Sequence, residues 1–425
     1  MSIIRRDRSI QGPRHRAGLV LALGLVAALL VADGTAWAQT KTITLSMLAG
    51  FKEDVLRANL PEFEKKTGIK VLVDASPFAD MYKKNLLALS TGGRFDVLFL
   101  DEPWVPPLAE FLTPLDERLR SVDMSDFVPT TVASGAFQGK QYALPVDPNV
   151  QILVYRKDLF AQKNLKPPAT WDELLATAKA LHDPAKEQFG FAMTASSDIQ
   201  TSLYLLLAMW SQGAELIDAQ GRGGANTPAG RKGGEMFLEL LKFTPPNVRS
   251  YTFADVNKAI QTGQAAMAIQ WASGAKPMED PSRSSVAGKL GYAVVPKAVR
   301  QTPMRGVWTI AIAKNSPNQD AAFEFAKWIS SKEFGLAAVK FPSATSAIHS
   351  PRVSVLQDAG TKAALPYAET LLASLQVTKG RPRYTEYADI QEHVRITAGK
   401  LTAGELTLDA ALKEIDAGVN KILGK

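Results

Sequence analysis

The chain has 425 residues, 46% hydrophobic and 21% charged, with a formal net charge of +7 and no cysteine. That is globular composition, and the length suffices for two sizeable cores. The missing cysteines exclude a disulfide framework, a thiolate nucleophile and a thiolate-ligated metal. No basic run of five or more stands out beyond the first 38 residues, which argues against a nucleic-acid footprint.

The N-terminus reads as an export signal. Arg5, Arg6, Arg8, Arg14 and Arg16 form a basic region, Ala17 to Ala32 an apolar one, and Ala36-Trp37-Ala38 a small-x-small cleavage site, with the cut before Gln39. A membrane anchor is the alternative reading. The apolar run is shorter than the roughly 20 residues a span needs, and Asp33 interrupts its end. "RRDRS" is a poor twin-arginine match because Arg8 stands where an apolar residue is expected. A bacterial lipid anchor needs a cysteine at the cut, so the mature chain is expected free in the periplasm of a two-membrane bacterium.

The mature chain opens with alternating strand and helix signals. "TITLSM" alternates Ile43, Leu45 and Met47, a strand pattern. Leu56, Leu60 and Phe63 follow at helical spacing, with Gly68 as a stop and Pro61 predicting a kink or a late start. "IKVLV" predicts a second strand, "MYKKNLLALSTGG" a helix ending in glycines, and "FDVLFL" a third strand apolar on both faces. This βαβαβ order predicts a parallel sheet covered by helices. Ligands of open α/β sheets sit beyond the carboxyl ends of strands, and "DEPW", Asp101 to Trp104, lies at such an end. "QILVY" predicts another strand. In "PPATWDELLATAKAL", Thr170 and Glu173 have capping-box spacing. "AAFEFAKWIS" places Ala322, Phe325, Ala326 and Ile329 on one helical face. Leu408, Ala411, Leu412, Ile415, Val419 and Ile422 make the last helix strongly amphipathic. The glycine-rich "DAQGRGGANTPAGRKGG" reads as a surface loop.

Motifs of catalysis are missing. Beyond the leader, His182, His349 and His393 are far apart and lack metal-ligand spacing, and no nucleophile elbow, phosphate loop or zinc-protease motif occurs. Asp101 and Glu102 are neighbours, and neighbours on extended chain point to opposite faces. That suits badly a glycosidase pair, which needs convergent carboxyls about 5–9.5 Å apart. What remains are hydrogen-bonding groups and flat aromatic rings. Carboxylates accept from hydroxyls, and Trp or Tyr rings cover C–H faces. A reversible binder of polyhydroxylated ligands needs those residue types and no nucleophile.

Five segments, in order, carry a resemblance: "FEKKTGIKV", "FDVLFLDEPWVPPLAEFLTPLDE", "GKQYALPVDPNVQILVYRKDLF" with the helix after it, "GQAAMAIQWASG", and "RGVWTIAIAKNSPNQDAAFEFAKWISS". The chain resembles the extracellular solute-binding proteins of ABC transporters, in the carbohydrate group that includes maltose-binding protein. The resemblance implies an α/β, two-lobed periplasmic-binding-protein fold of type II, with a ligand cleft between lobes joined by a hinge. It implies a signal peptide at 1–38, lobe 1 at 39–147, lobe 2 at 148–292, a return to lobe 1 at 293–330, and mainly lobe 2 helices at 331–425. Leu144 to Val150 would be the first crossing and Gly291 to Pro296 near the return. The implied function is capture of a sugar or polyol by lobe closure and delivery to the permease subunits of an ABC importer, by a monomer without cofactor, metal or catalysis.

Site residues carry over by position. Trp271 and Trp308 stand where relatives stack a ring on the sugar, although Val307 replaces a glycine common before the second. Asp101 and Glu102 follow the third strand, where hydroxyls are contacted, and Trp104 follows them. Asp147 and Asn149 lie in the crossing. Tyr82 matches a cleft-facing helix position, Gly50 and Phe51 follow the first strand, and Tyr384 with Tyr387 lies near a segment that supplies an aromatic. Trp171, Trp210 and Trp328 read as structural. Two alternatives stay open: the same fold binding a polyamine through Asp101, Glu102 and Asp147 (or, with only Tyr384 and Tyr387 clustered, iron or another small solute), and a secreted carbohydrate-active enzyme.

Overall fold

The computed structural model describes residues 41–342 and 346–425; the leader read at residues 1–38 lies outside them. β1 (Thr42–Leu48), α1 (Phe51–Thr67), β2 (Lys70–Ser76), α2 (Phe78–Ser90) and β3 (Val97–Asp101) follow in order. β1 runs parallel to both β2 and β3. All five residues of β3 are buried, which is why its apolar run does not alternate. α1 starts at Phe51 and carries Pro61 in its interior, so the late start does not occur. The ring removes the N–H that Arg57 would otherwise bond. Gly68, at φ 70°, ends the helix in the left-handed region where a side chain is disfavoured.

A small hairpin of β4 (Ala136–Phe137) and β5 (Lys140–Gln141) precedes β6 (Ala143–Arg156), a 14-residue strand. β7 (Met267–Trp271), β8 (Leu290–Val294) and β9 (Arg305–Ile312) complete the strands. The first half of β6 pairs antiparallel with β9, and the second half with β7 on one side and β8 on the other. The sheet order is β2-β1-β3-β9-β6-β7, with β8 also on β6. The expected crossing and the "QILVY" strand are thus one element.

Two hydrophobic cores share this sheet, giving a two-lobed α/β architecture. One gathers Ile43, Leu45, Phe63, Phe99, Ile310 and Phe325. The other gathers Ile152, Val154, Trp210, Phe237, Ile269 and Leu412. β6 serves both, Leu144 and Val146 in the first and Val150 to Val154 in the second. Trp171 and Trp210 are buried in the second core and Trp328 in the first, against Phe63, Phe325 and Phe334.

The glycine-rich tract is only half a loop. Thr227 caps a helix, Pro228–Leu241, by accepting from the Gly230 N–H, with Pro228 in the first turn. A Cβ on Gly233 would lie 2.5 Å from the Met209 Cα. Glycine therefore lets this helix close onto the helix Ile199–Ser211, and that packing offsets glycine's cost of about 1 kcal/mol in a helix. Composition signalled a loop; close approach between helices decided otherwise.

Candidate functional site

Register builds one wall of the site. Asp101, the last residue of β3, lies opposite Trp308 on β9. Trp308 lies opposite Asp147 on β6, and Gly306 opposite Asn149. Cross-strand partners share a face of the sheet, so the tryptophan stands between the two acids. A register shift between Pro145 and Asp147 marks the place where β6 leaves regular pairing. The opposite wall comes from Trp271 at the end of β7 and from the helix Ile199–Ser211.

Between these walls lies a cavity of about 350 Å3, lined by Trp271 and Trp308, by Asp101 and Asn149, and by residues that sequence reasoning did not single out. Among the latter are Lys52, Phe78, Gln200 and Arg381. Trp308 is stacked on Phe99 (4.9 Å, 8° between planes), with Trp104 edge-on at 5.9 Å. Its orientation is therefore set by packing before any ligand arrives. Trp271 donates its indole N–H to the Gln200 Oε1 at 2.7 Å. Its far edge lies over Gly306, where a Cβ would sit 3.0 Å from the ring. Asn149 donates to the Ser273 hydroxyl at 2.9 Å and accepts from the Ser273 N–H at 3.1 Å, which ties β6 to the turn after β7. Phe78 is 41% exposed and leans on Trp104 at 5.3 Å, an apolar ring at the cavity rim.

The charges at the site are committed in pairs. Lys52, on the cavity wall, pairs with the fully buried Asp147. Asp147 also accepts from the His349 backbone N–H at 2.8 Å. Burial alone would push the Asp147 carboxyl up; Lys52 and His349 outweigh it and hold it down at about 2. Arg381, also on the wall, pairs with Asp101. Burial pushes the Asp101 carboxyl up against the pull of that guanidinium. Among the described residues the buried Arg381 Nε has no hydrogen-bond partner.

Four of the ten expected site residues line the cavity: Asp101, Asn149, Trp271 and Trp308. Glu102 does not. The chain turns into a short 3-10 segment after Asp101, and Glu102 is fully buried behind the wall. There it accepts from the Ser134 hydroxyl at 2.8 Å and the Arg305 Nε at 3.0 Å. Burial would raise this carboxyl, but Arg305, Arg381 and Arg383 hold it below its ordinary range. Asp147 stands one layer back, screened by Lys52. Trp104 backs Trp308 and Phe78 rather than reaching the cavity, and Tyr82 packs on Trp104 at 5.7 Å. Phe51 turns away to the Phe341 ring at 6.1 Å. Tyr384 packs against the second core.

Two of the missed residues carried a positional signal. Lys52 and Phe78 follow the carboxyl ends of β1 and β2, the same placement that singled out Asp101. Arg381 carried none: its partner Asp101 is 280 positions away.

Comparison with known proteins places the geometry among relatives. A model described as bacterial extracellular solute-binding protein matches residues 46–335. A solute-binding protein of an ABC transporter from Agrobacterium radiobacter K84, solved with ribitol, is 26% identical with a TM-score of 0.80, over 90% of this chain and 98% of that one. A maltose-bound protein from T. maritima is 25% identical with a TM-score of 0.80, over 89% and 99%. The mannitol-binding protein of Pseudomonas aeruginosa is 26% identical over 293 residues, 67% of each chain.

Proposed function

The chain belongs to the bacterial extracellular solute-binding protein family, and on that premise we propose that it captures one neutral sugar or polyol between its lobes for an ABC importer. The observation that carries this reading is the charge balance of the cavity. Lys52 faces Asp147 and Arg381 faces Asp101, so the charged groups at the wall cancel in pairs. A polyamine would need uncommitted carboxylates, and these are occupied. A polyol needs donors and acceptors around an apolar face. Arg381, Asn149 and Gln200 supply the first, and Trp271, Trp308 and Phe78 the second. The volume sits near the small end of the 300–1,000 Å3 typical of ligand pockets, which favours a single ring or a short open-chain polyol over a long oligosaccharide.

The reading includes several finer points. Residues 39–147 and 293–330 form one lobe, and 148–292 with most of 331–425 the other. The chain works as a periplasmic monomer after removal of residues 1–38, without a lipid anchor, and docks on membrane permease subunits. It returns its ligand unchanged, because Glu102, buried under Arg305, cannot join Asp101 across a scissile bond.

Thermal melting of the protein against ribitol, D-mannitol, maltose and spermidine tests this. A ligand at a hundredfold excess over Kd adds about 2.7 kcal/mol to the folded state, a rise of a few degrees for a chain of this size. A rise with a neutral sugar or polyol, recovered chemically intact, is expected. A rise with spermidine alone would overturn the choice of ligand, and turnover of maltose would overturn the binding-only reading.

A further inference from the structure

Lys276 lies in the short helix Ala275–Met278, five positions beyond Trp271 on the same wall. Among the described residues no carboxylate pairs with its ammonium. Instead Nζ donates to two backbone carbonyls, Val339 O at 3.0 Å and Phe341 O at 2.7 Å. Burial lowers its pKa, as expected for a cation withdrawn from water without a counter-charge.

Those carbonyls lie at the C-terminal end of the helix Lys332–Lys340, where the Phe341 N–H already serves the Ala338 carbonyl at 3.2 Å and the ammonium serves two more, an arrangement that also suits the negative end of the helix dipole. This helix stands between the two cores: Phe334 and Ala338 belong to one and Val339 to the other. It is fastened to α1 by Lys66–Glu333 at 3.1 Å. Phe341 packs its ring on Phe51, the first residue of α1, and the next residue is Lys52 on the opposite cavity wall. One ammonium therefore links the Trp271 side of the cavity to the Lys52 side. An ammonium in this position is satisfied only while both segments stay together; separated, it must regain water or remain unpaired.

We infer that Lys276 is a clasp: a positioning residue that favours the arrangement in which the two walls enclose the cavity, without touching the ligand. The inference rests on the proposed binding function but makes a claim that needs no ligand. A compact arrangement held by this contact raises the binding-competent fraction, and apparent affinity scales with that fraction.

Lys276→Met keeps the stem and removes the charge and donors. Its unliganded form is expected to fold and to melt slightly below wild type, because the Val339 and Phe341 carbonyls lose a donor while the half-buried stem keeps its volume. Its radius of gyration by solution X-ray scattering without ligand is expected to exceed that of wild type. Ribitol or D-mannitol, whichever wild type binds, is expected to dissociate about tenfold faster, equivalent to about 1.4 kcal/mol. Lys276→Arg, which retains a cation and donors, is expected to recover most of the loss. Wild-type scattering and wild-type dissociation in Lys276→Met would overturn the clasp, and so would failure of Lys276→Met to fold, which would make the residue a folding requirement. If wild type binds neither probe, the binding reading is what has failed, and the ligand-free scattering still decides the clasp.

Discussion

Asp147→Asn tests whether the pair beneath the cavity wall is an ion pair. The carboxylate is fully buried, accepts from the His349 N–H and faces Lys52. Its pKa is held at about 2, against about 3.9 in an unfolded chain. A folded-state pKa below the unfolded value stabilises the fold above the unfolded pKa, and that stability is lost as pH falls through the folded pKa. At 1.36 kcal/mol per tenfold change in proton affinity, the carboxylate contributes roughly 2–3 kcal/mol at pH 7 and about half of that at pH 3. Asparagine still accepts from His349 but leaves the Lys52 ammonium without its counter-charge, in a setting where breaking a buried pair costs about 3–5 kcal/mol. Denaturant unfolding of both proteins between pH 7 and pH 3 gives the gap in stability directly. The gap should be constant from pH 7 to about pH 5 and narrow by roughly 1 kcal/mol at pH 3. A gap that does not change over that range would refute the ion pair, and with it the argument that the cavity's charges cancel.

Two further substitutions separate the wall from what supports it. Gly306→Ala places a methyl 3.0 Å from the Trp271 ring, whose other edge is held by Gln200. Overpacking of this kind costs about 1–3 kcal/mol, and titration calorimetry should show a loss of ligand affinity larger than the loss of stability, since the displaced ring faces the cavity. Glu102→Gln keeps an acceptor for the Ser134 hydroxyl but removes the negative charge that Arg305 faces behind the wall. It should lower stability by about 3–5 kcal/mol, the usual cost of breaking a buried pair, yet leave the order of preference among sugars and polyols unchanged; an altered order would place Glu102 at the ligand.

Much of the scaffold was legible because it depends on local periodicity. The three alternating or doubly buried strands, the Thr170–Glu173 capping box and the last helix all appear where their spacing put them. The glycine-rich tract misled because composition signals a loop, whereas Gly233 is dictated by a helix 24 positions earlier. The separation of Asp101 from Glu102 follows from a turn that alternation along a strand does not describe: β3 ends at Asp101, which reaches the cavity, and Glu102 opens a 3-10 segment that carries it behind the wall.

By itself, the sequence determined the α/β order, the two-core scale, the family, and four residues that line the cavity, Asp101 and Trp271 at the ends of their strands and Asn149 and Trp308 within theirs. Tertiary structure alone decided which acids remain available to a ligand. Lys52 finds Asp147 across 95 positions and Arg381 finds Asp101 across 280. Carboxylates that look free along the chain are neutralised by cations brought in from distant segments. The physical reason is range: backbone periodicity is set by near neighbours, whereas burial of a charge is tolerated only where a partner arrives from elsewhere in the fold.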